Sequence, residues 1–563
     1  MLANIYIFTF FYIIILCSII GYGLIFINLT LTKTRKINIG YVGIYGVFLL
    51  ILYSYISNLF LAHNQIHNSI LILIGLSFFY YFFFIKKENL KELKLFFIVF
   101  VILFISSLIF KTHDDFTYYH FPYTYYLTQN NSYVGIGTFN HGFRTPSSIF
   151  YLSSLFYLPV IKMKMFHISA IALMGFANII FILKIFENFK EKKINFITYF
   201  SLFALIFINI FFYRISEHGT DRSAQILILI LIMEILLFTN FNYDYKIQGS
   251  KILILTGIII SLKAFYVLYL GFFIIILYWL IKNVKYKDII KLIKKNNSLK
   301  FFLLILIAII FHNVLNTGCL IYPLSTSCFP NLSWTIDVAQ VDNMNNWYEQ
   351  WSKSGAGPNF RVDNPEEYIQ GFNWVSNWFD NYFFNKVSDF LFGILFVVLV
   401  FFLSFYSKKK ISSNLKDSKY IFSLYVILIL FFMEWFYNHP ALRYGGYSLI
   451  FCLIVIPTSL IFEKFKQDNK VIKKKFLIFI SISFIIFFGR NINRIYNEIN
   501  IYYYKPISHT FFSIEKKNYR FDKLFNELIT NYNNCKIKIN NCDTELKPLV
   551  SRSFNLYIFS NSK

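Results

Sequence analysis

Long apolar segments separated by short polar stretches run through most of this chain, and they limit what it can fold into. A helix needs roughly 20 apolar residues to cross a bilayer, and fewer where the membrane is thin or the helix packs in protein. We predict about 14 such helices, in residues 5–28, 41–62, 69–85, 95–110, 165–186, 196–213, 224–239, two in 252–281, 301–316, 390–406, 420–437, 444–462 and 476–489. The predicted fold class is therefore an all-α polytopic membrane protein.

Composition and charge support the same class. Hydrophobic residues make up 57% of the 563 residues, which excludes a disordered or ordinary soluble protein. The formal net charge of +25 comes mainly from short runs of lysine and arginine between apolar segments, so it indicates membrane topology and no nucleic-acid partner. These basic runs predict which loops face the cytoplasm. We expect both termini on the external side of a bacterial inner membrane.

Lys263 interrupts the apolar stretch 252–281, which could be one long tilted helix or two tightly packed ones. Two helices place the lysine-rich run 282–295 inside, whereas one helix places it outside. The positive-inside rule favours two, with Lys263 at their external turn.

Loop lengths divide the chain into six parts. We predict N-terminal transmembrane helices in 1–110, a first large external loop in 111–164, central transmembrane helices in 165–316, a large external loop in 317–385, C-terminal transmembrane helices in 386–489 and an external tail in 490–563. Within the first loop, 116–129 alternates aromatic and polar residues as an interfacial helix does. Residues 146–159 are apolar but short, which favours a second interfacial or re-entrant helix.

Four of the six cysteines form two close pairs, Cys319/Cys328 and Cys535/Cys542. Neither pair has zinc-site spacing with nearby histidines. If both pairs lie outside, disulfides are natural there.

Polar residues next to the predicted spans converge on the external side. They are Asp114, Asp115, His120, Arg144, Glu217, His218, Asp221, Arg222, Lys263, His439, Arg443 and Tyr444. Carboxylates can deprotonate a hydroxyl, and cations can hold a phosphate leaving group on which negative charge develops. Such a combination at a bilayer surface suits sugar transfer from a lipid-linked phosphate donor.

Simpler roles stay open for each of these residues. Asp114 or Asp115 could cap a helix or pair with Arg144, and 214–223 could be a solvated turn. Lys263 could reach the surface by snorkelling, and Trp347, Trp351, Trp374 and Trp378 could stack on sugars or only pack. Glu234 and Glu434 lie within spans and could instead form the proton relay of a transporter. No nucleotide-binding or soluble-hydrolase motif is present, so direct use of a nucleotide sugar is not expected.

The order of these motifs resembles the GT-C class of integral-membrane glycosyltransferases, especially relatives of bacterial protein mannosyltransferases and aminoarabinose transferases. The similar stretches, over residues 95–460, are HDDFTYYHFPY, RTP followed by SSIFYLSSLFYLP, SLKAFY, TGCLIYPL and ALRYGG. The resemblance implies a polyprenyl-phosphate-sugar donor, an external acceptor, inversion at the anomeric carbon and a carboxylate base. It implies Asp114 or Asp115 as that base and Lys263 and Arg443 at the donor phosphate, with Arg144 as a further candidate. Some members also bind a divalent metal ion such as Mg²⁺ or Mn²⁺ near the acids.

The expected function is transfer of a sugar from a polyprenyl-phosphate donor to an envelope glycan, lipid or protein on the external face. The alternatives are an envelope polysaccharide polymerase or ligase, and a transporter or flippase. A transporter would depend on Glu234 and Glu434 and not on the aspartate pair. Of the two aspartates only one is expected to be essential, because adjacent side chains do not face the same way.

Overall fold

Apolar segments of the sequence form the helices of a membrane-type bundle. The computed structural model describes residues 3–30, 38–87, 90–109, 113, 115–217, 219–240, 245–356, 362, 364–409, 418–465, 468–503, 505–506, 549–553 and 556–560. In this part of the chain, 11 helical segments are long and apolar enough to cross a membrane. They confirm a polytopic membrane protein built of helices, as the hydropathy pattern predicts.

The helices are, in chain order, α1 Ala3–Thr30, α2 Ile39–Ser57, α3 Gln65–Tyr80, α4 Leu90–Leu103, α5 Phe121–Gln129, α6 Ile136–Phe139, α7 Ser148–Ser154, α8 Ile168–Lys190, α9 Phe196–Phe211, α10 Gly219–Asn240, α11 Tyr245–Leu262, α12 Phe272–Asn283, α13 Tyr286–Lys295, α14 Asn297–Thr317, α15 Val338–Lys353, α16 Pro365–Ile369, α17 Val375–Trp378, α18 Ser388–Phe405, α19 Ser418–Asn438, α20 Gly446–Glu463 and α21 Asn469–Tyr502. A two-stranded antiparallel hairpin follows, β1 Leu549–Ser553 and β2 Leu556–Ser560.

The centre of the bundle is formed by α8 and α10. In each of the two spans that contain these helices, 94% of the most apolar 18-residue stretch is buried. In the span that includes α18, the buried share of that stretch is 22%. Large apolar side chains on α3, α14 and α18 are exposed, as expected for helices that face lipid. The two helices are therefore enclosed by other helices, and the outer helices present an apolar surface to the bilayer.

A break in the backbone separates α11 from the next span. Lys263 adopts an extended conformation (φ −162°, ψ 136°) between Leu262 and the 3₁₀ segment Ala264–Gly271, which continues into α12. The spans Tyr245–Leu262 and Ala264–Asn283 are separate. The prediction of two spans with Lys263 at their turn is confirmed.

The first large loop is more deeply buried than its sequence suggests. A π-helical turn, Phe116–His120, leads into α5, where most side chains are buried, and all seven residues of α7 are buried. Neither helix has one face open to lipid. Their polar side chains form hydrogen bonds inside the protein, and the Tyr123 and Tyr151 hydroxyl oxygens, for example, lie 2.8 Å apart. The short apolar helix α7, predicted as interfacial or re-entrant, is packed within the bundle.

A buried cation helps to fasten the second large loop to the bundle. Lys353, at the end of α15, has a fully buried side chain that donates to Glu349 Oε1 at 2.5 Å and to the Ile369 carbonyl at 2.7 Å. Its ammonium group also lies about 5 Å from the ring centroids of Trp374 and Tyr437. Since Tyr437 belongs to α19, this lysine joins the loop to the helices.

A disulfide joins Cys319 to Cys328 at the start of the same loop. Cys319 packs there with Tyr322, Ile336 and Val341. The second predicted pair, Cys535 and Cys542, lies outside the described residues.

The hairpin near the end of the chain packs against the first large loop. Phe559 donates its backbone N–H to the Val134 carbonyl at 2.8 Å, and Ile558 forms a parallel bridge with Val134. The next residue, Gly135, has φ +73°, and a side chain there would collide with the Phe559 carbonyl oxygen. The absence of a side chain at Gly135 therefore permits the close approach.

Candidate functional site

Asp221 lies in the first turn of α10 and is the buried centre of a charge cluster whose other members are partly exposed. Its side chain receives Lys263 Nζ on Oδ1 at 2.6 Å and Arg443 Nε on Oδ2 at 3.2 Å. A carboxylate is favoured at a helix N-terminus because the backbone N–H groups there are unsatisfied. Two cations from distant segments therefore meet on one acid.

Arg443 connects Asp221 to a second carboxylate. Its Nη2 atom lies 3.0 Å from Asp115 Oδ2, and His113 Nδ1 lies 3.3 Å from the same oxygen. The four residues Asp115, Asp221, Lys263 and Arg443 are called the Asp221 cluster below. They come from four different segments, so the fold alone brings them together.

The surroundings keep Asp115 ionised. Burial opposes ionisation, but the hydrogen bond with His113 and the charge of Arg443 outweigh it, so the pKa of the Asp115 carboxyl lies well below its ordinary value. An Asp115 paired in this way is a weak base.

The Arg443 segment is fixed by a glutamine of α10. Gln225 donates to the Arg443 carbonyl at 3.1 Å and accepts from the Ser448 backbone N–H at 3.1 Å. Gly445 follows with φ +104°, and Gly446 lies so close to Trp435 that a Cβ atom would be 2.4 Å from its ring. Because both residues of this pair in ALRYGG are glycine, α20 can begin at Gly446, three residues after Arg443.

Aromatic rings line the cluster. Lys263 Nζ lies 4.4 Å from the ring centroid of Tyr444, and Arg443 Cζ lies 5.2 Å from that of Trp351. Burial raises the pKa of the Tyr119 hydroxyl, which also interacts electrostatically with Asp115 and Arg443. The rings shield the charges from solvent, which strengthens their interactions.

Two histidines lie beside the cluster in neutral form. Burial lowers the pKa of both His120 and His439 to about 4. His439 Nδ1 lies 3.4 Å from Ser352 Oγ, and its ring packs against Tyr444. The Nε2 atom of His120 is buried and has no hydrogen-bond partner among the described residues. His120 therefore has a free nitrogen for a ligand group.

Three of the candidates from the sequence are held elsewhere. Arg144 is buried and donates to the Gly137 carbonyl at 3.0 Å and to Gln340 Oε1 at 3.1 Å, which ties the two large loops together. Glu217 is paired with Arg214 and Arg494. Arg222 packs over the Phe212 ring. Asp114 and His218 lie outside the described residues.

The tryptophans separate into two groups. Trp374 and Trp378 are buried and pack against Phe436, so they have no face for a sugar ring. Trp351 borders the Asp221 cluster, and Trp347 is 40% exposed. Of the four proposed platforms, only Trp351 is both near the cluster and not fully buried.

The two acids of the transporter alternative have local partners. Glu234 accepts from the Tyr41 hydroxyl and pairs with Lys251 Nζ at 3.5 Å. Glu434 accepts from Asn438 Nδ2 at 3.2 Å. Glu234 lies 13 residues beyond Asp221 on α10, about 20 Å along the helix axis. The contacts of the described residues do not link the two glutamates in a relay.

The described acids, histidines and cysteines include no group of three or more that could hold a metal ion. Asp115 and Asp221 both face cations. Among the described residues, this donor set does not fit a divalent metal ion.

Three residues near the cluster, His113, Tyr119 and Gln225, were not among the candidates. His113 directly precedes the aspartate pair in the sequence. Tyr119 is one of several aromatic residues in the FTYYHFPY run, and nothing in the sequence distinguishes it from its neighbours. Gln225 could have been recognised in the sequence, because an amide side chain within an apolar span is costly to bury unless it has hydrogen-bond partners.

A family model described as a domain of unknown function, DUF8201, matches residues 1–451. The chain belongs to the DUF8201 family. The matched DUF8201 region contains the whole Asp221 cluster, whereas α21 and the hairpin follow it. No curated protein and no solved structure matches the chain significantly.

Proposed function

We propose that this DUF8201 protein is a membrane glycosyltransferase that uses a polyprenyl-phosphate-sugar donor. Its acceptor would be an envelope glycan, lipid or protein on the external face of a bacterial inner membrane. The proposal rests on one observation, the partly buried arrangement in which Arg443 bridges Asp115 and Asp221 beside Lys263. The resemblance to GT-C enzymes at the same residues supports it.

The charge arrangement suits displacement at an anomeric carbon. Two carboxylates and two cations nearly neutralise each other, so an arriving phosphate diester competes with the carboxylates for Lys263 and Arg443. As Arg443 turns to the phosphate, Asp115 loses its cationic partner and its affinity for a proton rises. Binding of the donor therefore prepares the base.

In the proposed step, the acceptor hydroxyl gives its proton to a carboxylate of the aspartate pair while its oxygen attacks the anomeric carbon. The bond between that carbon and the phosphate oxygen breaks, and its electron pair leaves with the polyprenyl phosphate. Lys263 and Arg443 stabilise the additional negative charge on the leaving group. The attacking and leaving groups lie on opposite sides of the carbon, which inverts its configuration.

The neighbouring side chains have separate roles in this proposal. Tyr444, Trp351 and His439 form a wall beside the cations, and His120 offers Nε2 to a sugar hydroxyl. Arg144, Glu217 and Arg222 hold the surrounding loops in position.

The proposed orientation places the Asp221 cluster outside, with 14 spans. The 11 long apolar segments supply most of them. The others are α9, a shorter apolar helix, together with α4 and α21. The lysine-rich connections then lie on the cytoplasmic side.

A transfer assay in proteoliposomes tests the function. Purified protein is given polyprenyl-phosphate sugars and an envelope extract as acceptor, and release of polyprenyl phosphate is measured. The variants are Asp114→Asn, Asp115→Asn, Asp221→Asn and Lys263→Met, with Lys386→Met as an exposed basic control. Size-exclusion profiles and thermal unfolding identify variants that do not fold.

We expect transfer to fall at least a hundredfold in Asp221→Asn and in one of the Asp114 and Asp115 variants, with the control unchanged. Full activity in all the aspartate variants, or no consumption of any donor, would exclude the proposal. Loss of solute movement in Glu234→Gln and Glu434→Gln would then favour a transporter. Processive chain extension by the wild type would favour a polymerase.

A further inference from the structure

A polar cavity of about 360 Å³ lies between α21 and the turn that precedes α10. Tyr213 and Arg214 form one wall. The other wall belongs to α21 and consists of Arg490, Asn493, Arg494, Asn497, Glu498 and Ile501. None of the α21 residues was a site candidate from the sequence.

The α21 wall is one continuous face of the helix. Its polar residues recur every three or four positions, which aligns them over more than two turns. On the adjoining side, toward the bilayer, Phe488 is 41% exposed and Ile492 is 47% exposed. The polar face therefore borders an apolar surface on the same helix.

Positive charge exceeds negative charge in this cavity. Glu217 is shared by Arg214 at 2.6 Å and Arg494 at 2.9 Å, and Arg494 also pairs with Glu498 at 3.0 Å. Arg490 donates to the Ile210 carbonyl at 2.7 Å and stacks on Tyr213 at 3.8 Å. In the described part of the chain Arg490 has no carboxylate partner. Among the described residues, three guanidinium groups thus face two carboxylates.

The cavity lies at the end of the bundle that carries the Asp221 cluster. Glu217 precedes Asp221 by four residues, and Arg490 contacts the last turn of α9 through the Ile210 carbonyl. The 34 residues of α21 give a helix about 50 Å long, well beyond the roughly 30 Å hydrocarbon core. In the proposed topology its C-terminal turns extend beyond the hydrocarbon core to the depth of the lipid headgroups.

We propose that this cavity binds the phosphate group of an anionic lipid. Arginine is suited to phosphate because its planar guanidinium group donates two hydrogen bonds to two oxygens. The amides of Asn493 and Asn497 supply further donors, and the exposed apolar residues of α21 contact the acyl chains. The site does not depend on sugar transfer, since it shares no residue with the Asp221 cluster.

Lipid binding to the purified full-length chain tests this proposal. Native mass spectrometry measures binding of phosphatidylglycerol, of diacylglycerol with the same acyl chains, and of inorganic phosphate. The variants are Arg490→Gln and Asn497→Leu, with Lys386→Gln as the control. Arg490 and Asn497 are both exposed, so their replacement leaves the buried Glu217 pairs intact.

We expect the wild type and the control to bind phosphatidylglycerol and not diacylglycerol, and Arg490→Gln to bind about tenfold more weakly. Equal binding of inorganic phosphate, with the same loss in Arg490→Gln, would identify free phosphate as the ligand and still support the site. Equal binding of diacylglycerol would overturn the proposal. Phosphatidylglycerol binding by Arg490→Gln and Asn497→Leu at the level of the control would also overturn it.

Discussion

The contact between the largely buried Asp221 and the partly buried Lys263 joins two side chains that cannot be changed independently. Asp221→Asn leaves two cations without a shared anion, so we expect the free energy of unfolding to fall by about 3–5 kcal/mol. Adding Lys263→Met removes one of those cations, and the double variant should recover about 2 kcal/mol of the summed loss. Unfolding with sodium dodecyl sulfate in mixed micelles measures all four proteins. Strictly additive losses would show that the two residues do not interact.

Acid should destabilise the protein in two separate pH ranges. The pKa of His120 is about 4 in the folded protein and 6.5 ordinarily, so between these values the unfolded chain binds more protons. The free energy of unfolding therefore falls as the pH drops from 6.5 to 4, and His120→Gln should make this slope shallower.

Asp115 acts at lower pH, because its pKa lies below the ordinary 3.8. The stability that it contributes is present above that value and is lost as the pH falls below it. Thermal unfolding from pH 7 to pH 4 follows the His120 effect, and its extension to pH 2 follows the onset of the Asp115 effect. An unchanged slope above pH 4 in His120→Gln would contradict the first of them.

Single residues were predictable from the sequence where their chemistry conflicts with their surroundings. Lys263 stood out because a lone charge in an apolar stretch must be satisfied. The structure gives it a carboxylate and an aromatic ring. Arg144 looked equivalent in the sequence, yet its partners are a carbonyl and a glutamine, which no local pattern indicates. Partner choice depends on residues far away in the chain.

Lys353 fastens the second large loop through contacts that a neutral side chain cannot make. Lys353→Met keeps much of the packing volume but leaves Glu349 and the Ile369 carbonyl without their donor. We expect the free energy of unfolding to fall by about 2–4 kcal/mol. Hydrogen exchange in α15 should become faster. Lys386→Met, an exposed change in the same region, should alter stability by less than about 0.5 kcal/mol.

Helices were easier to predict than their surroundings. The break at Lys263 followed from charge and length, and the structure has it at that residue. The burial of α5 and α7 did not follow, because alternating aromatic and polar residues suit a membrane surface and a hydrogen-bonded interior equally well. In this protein, contacts such as Tyr151 Oη with His312 Nδ1 at 3.0 Å satisfy the polar groups inside.

Labelling of single cysteines tests the orientation of the whole molecule. Asn385 and Lys470 are both exposed, and the proposed topology places them on opposite sides of the membrane. In a background with Cys535→Ser and Cys542→Ser, Asn385→Cys should react with an impermeant maleimide in intact cells. Lys470→Cys should react only after permeabilisation. The reverse pattern would invert the topology and move the Asp221 cluster to the cytoplasm.

At the scale of the molecule, hydropathy and basic runs were sufficient to predict a polytopic helical protein. They did not predict that Arg443 contacts Asp115, which lies 328 residues earlier. The sequence indicated that both residues lie on the same side of the membrane. Two residues on the same side can still be tens of ångströms apart. Packing of α10, α19 and α20 determines the actual distance.

The bridge between Val134 and Ile558 has a consequence for biosynthesis. The loop around Val134 is synthesised more than 400 residues before the hairpin that completes it. At about 5–20 residues per second, this interval is roughly 20 to 80 s. During that time the Val134 carbonyl lacks its strand partner, so the first loop can pair with another extended segment. Final assembly of this face therefore has to wait until synthesis has passed residue 560.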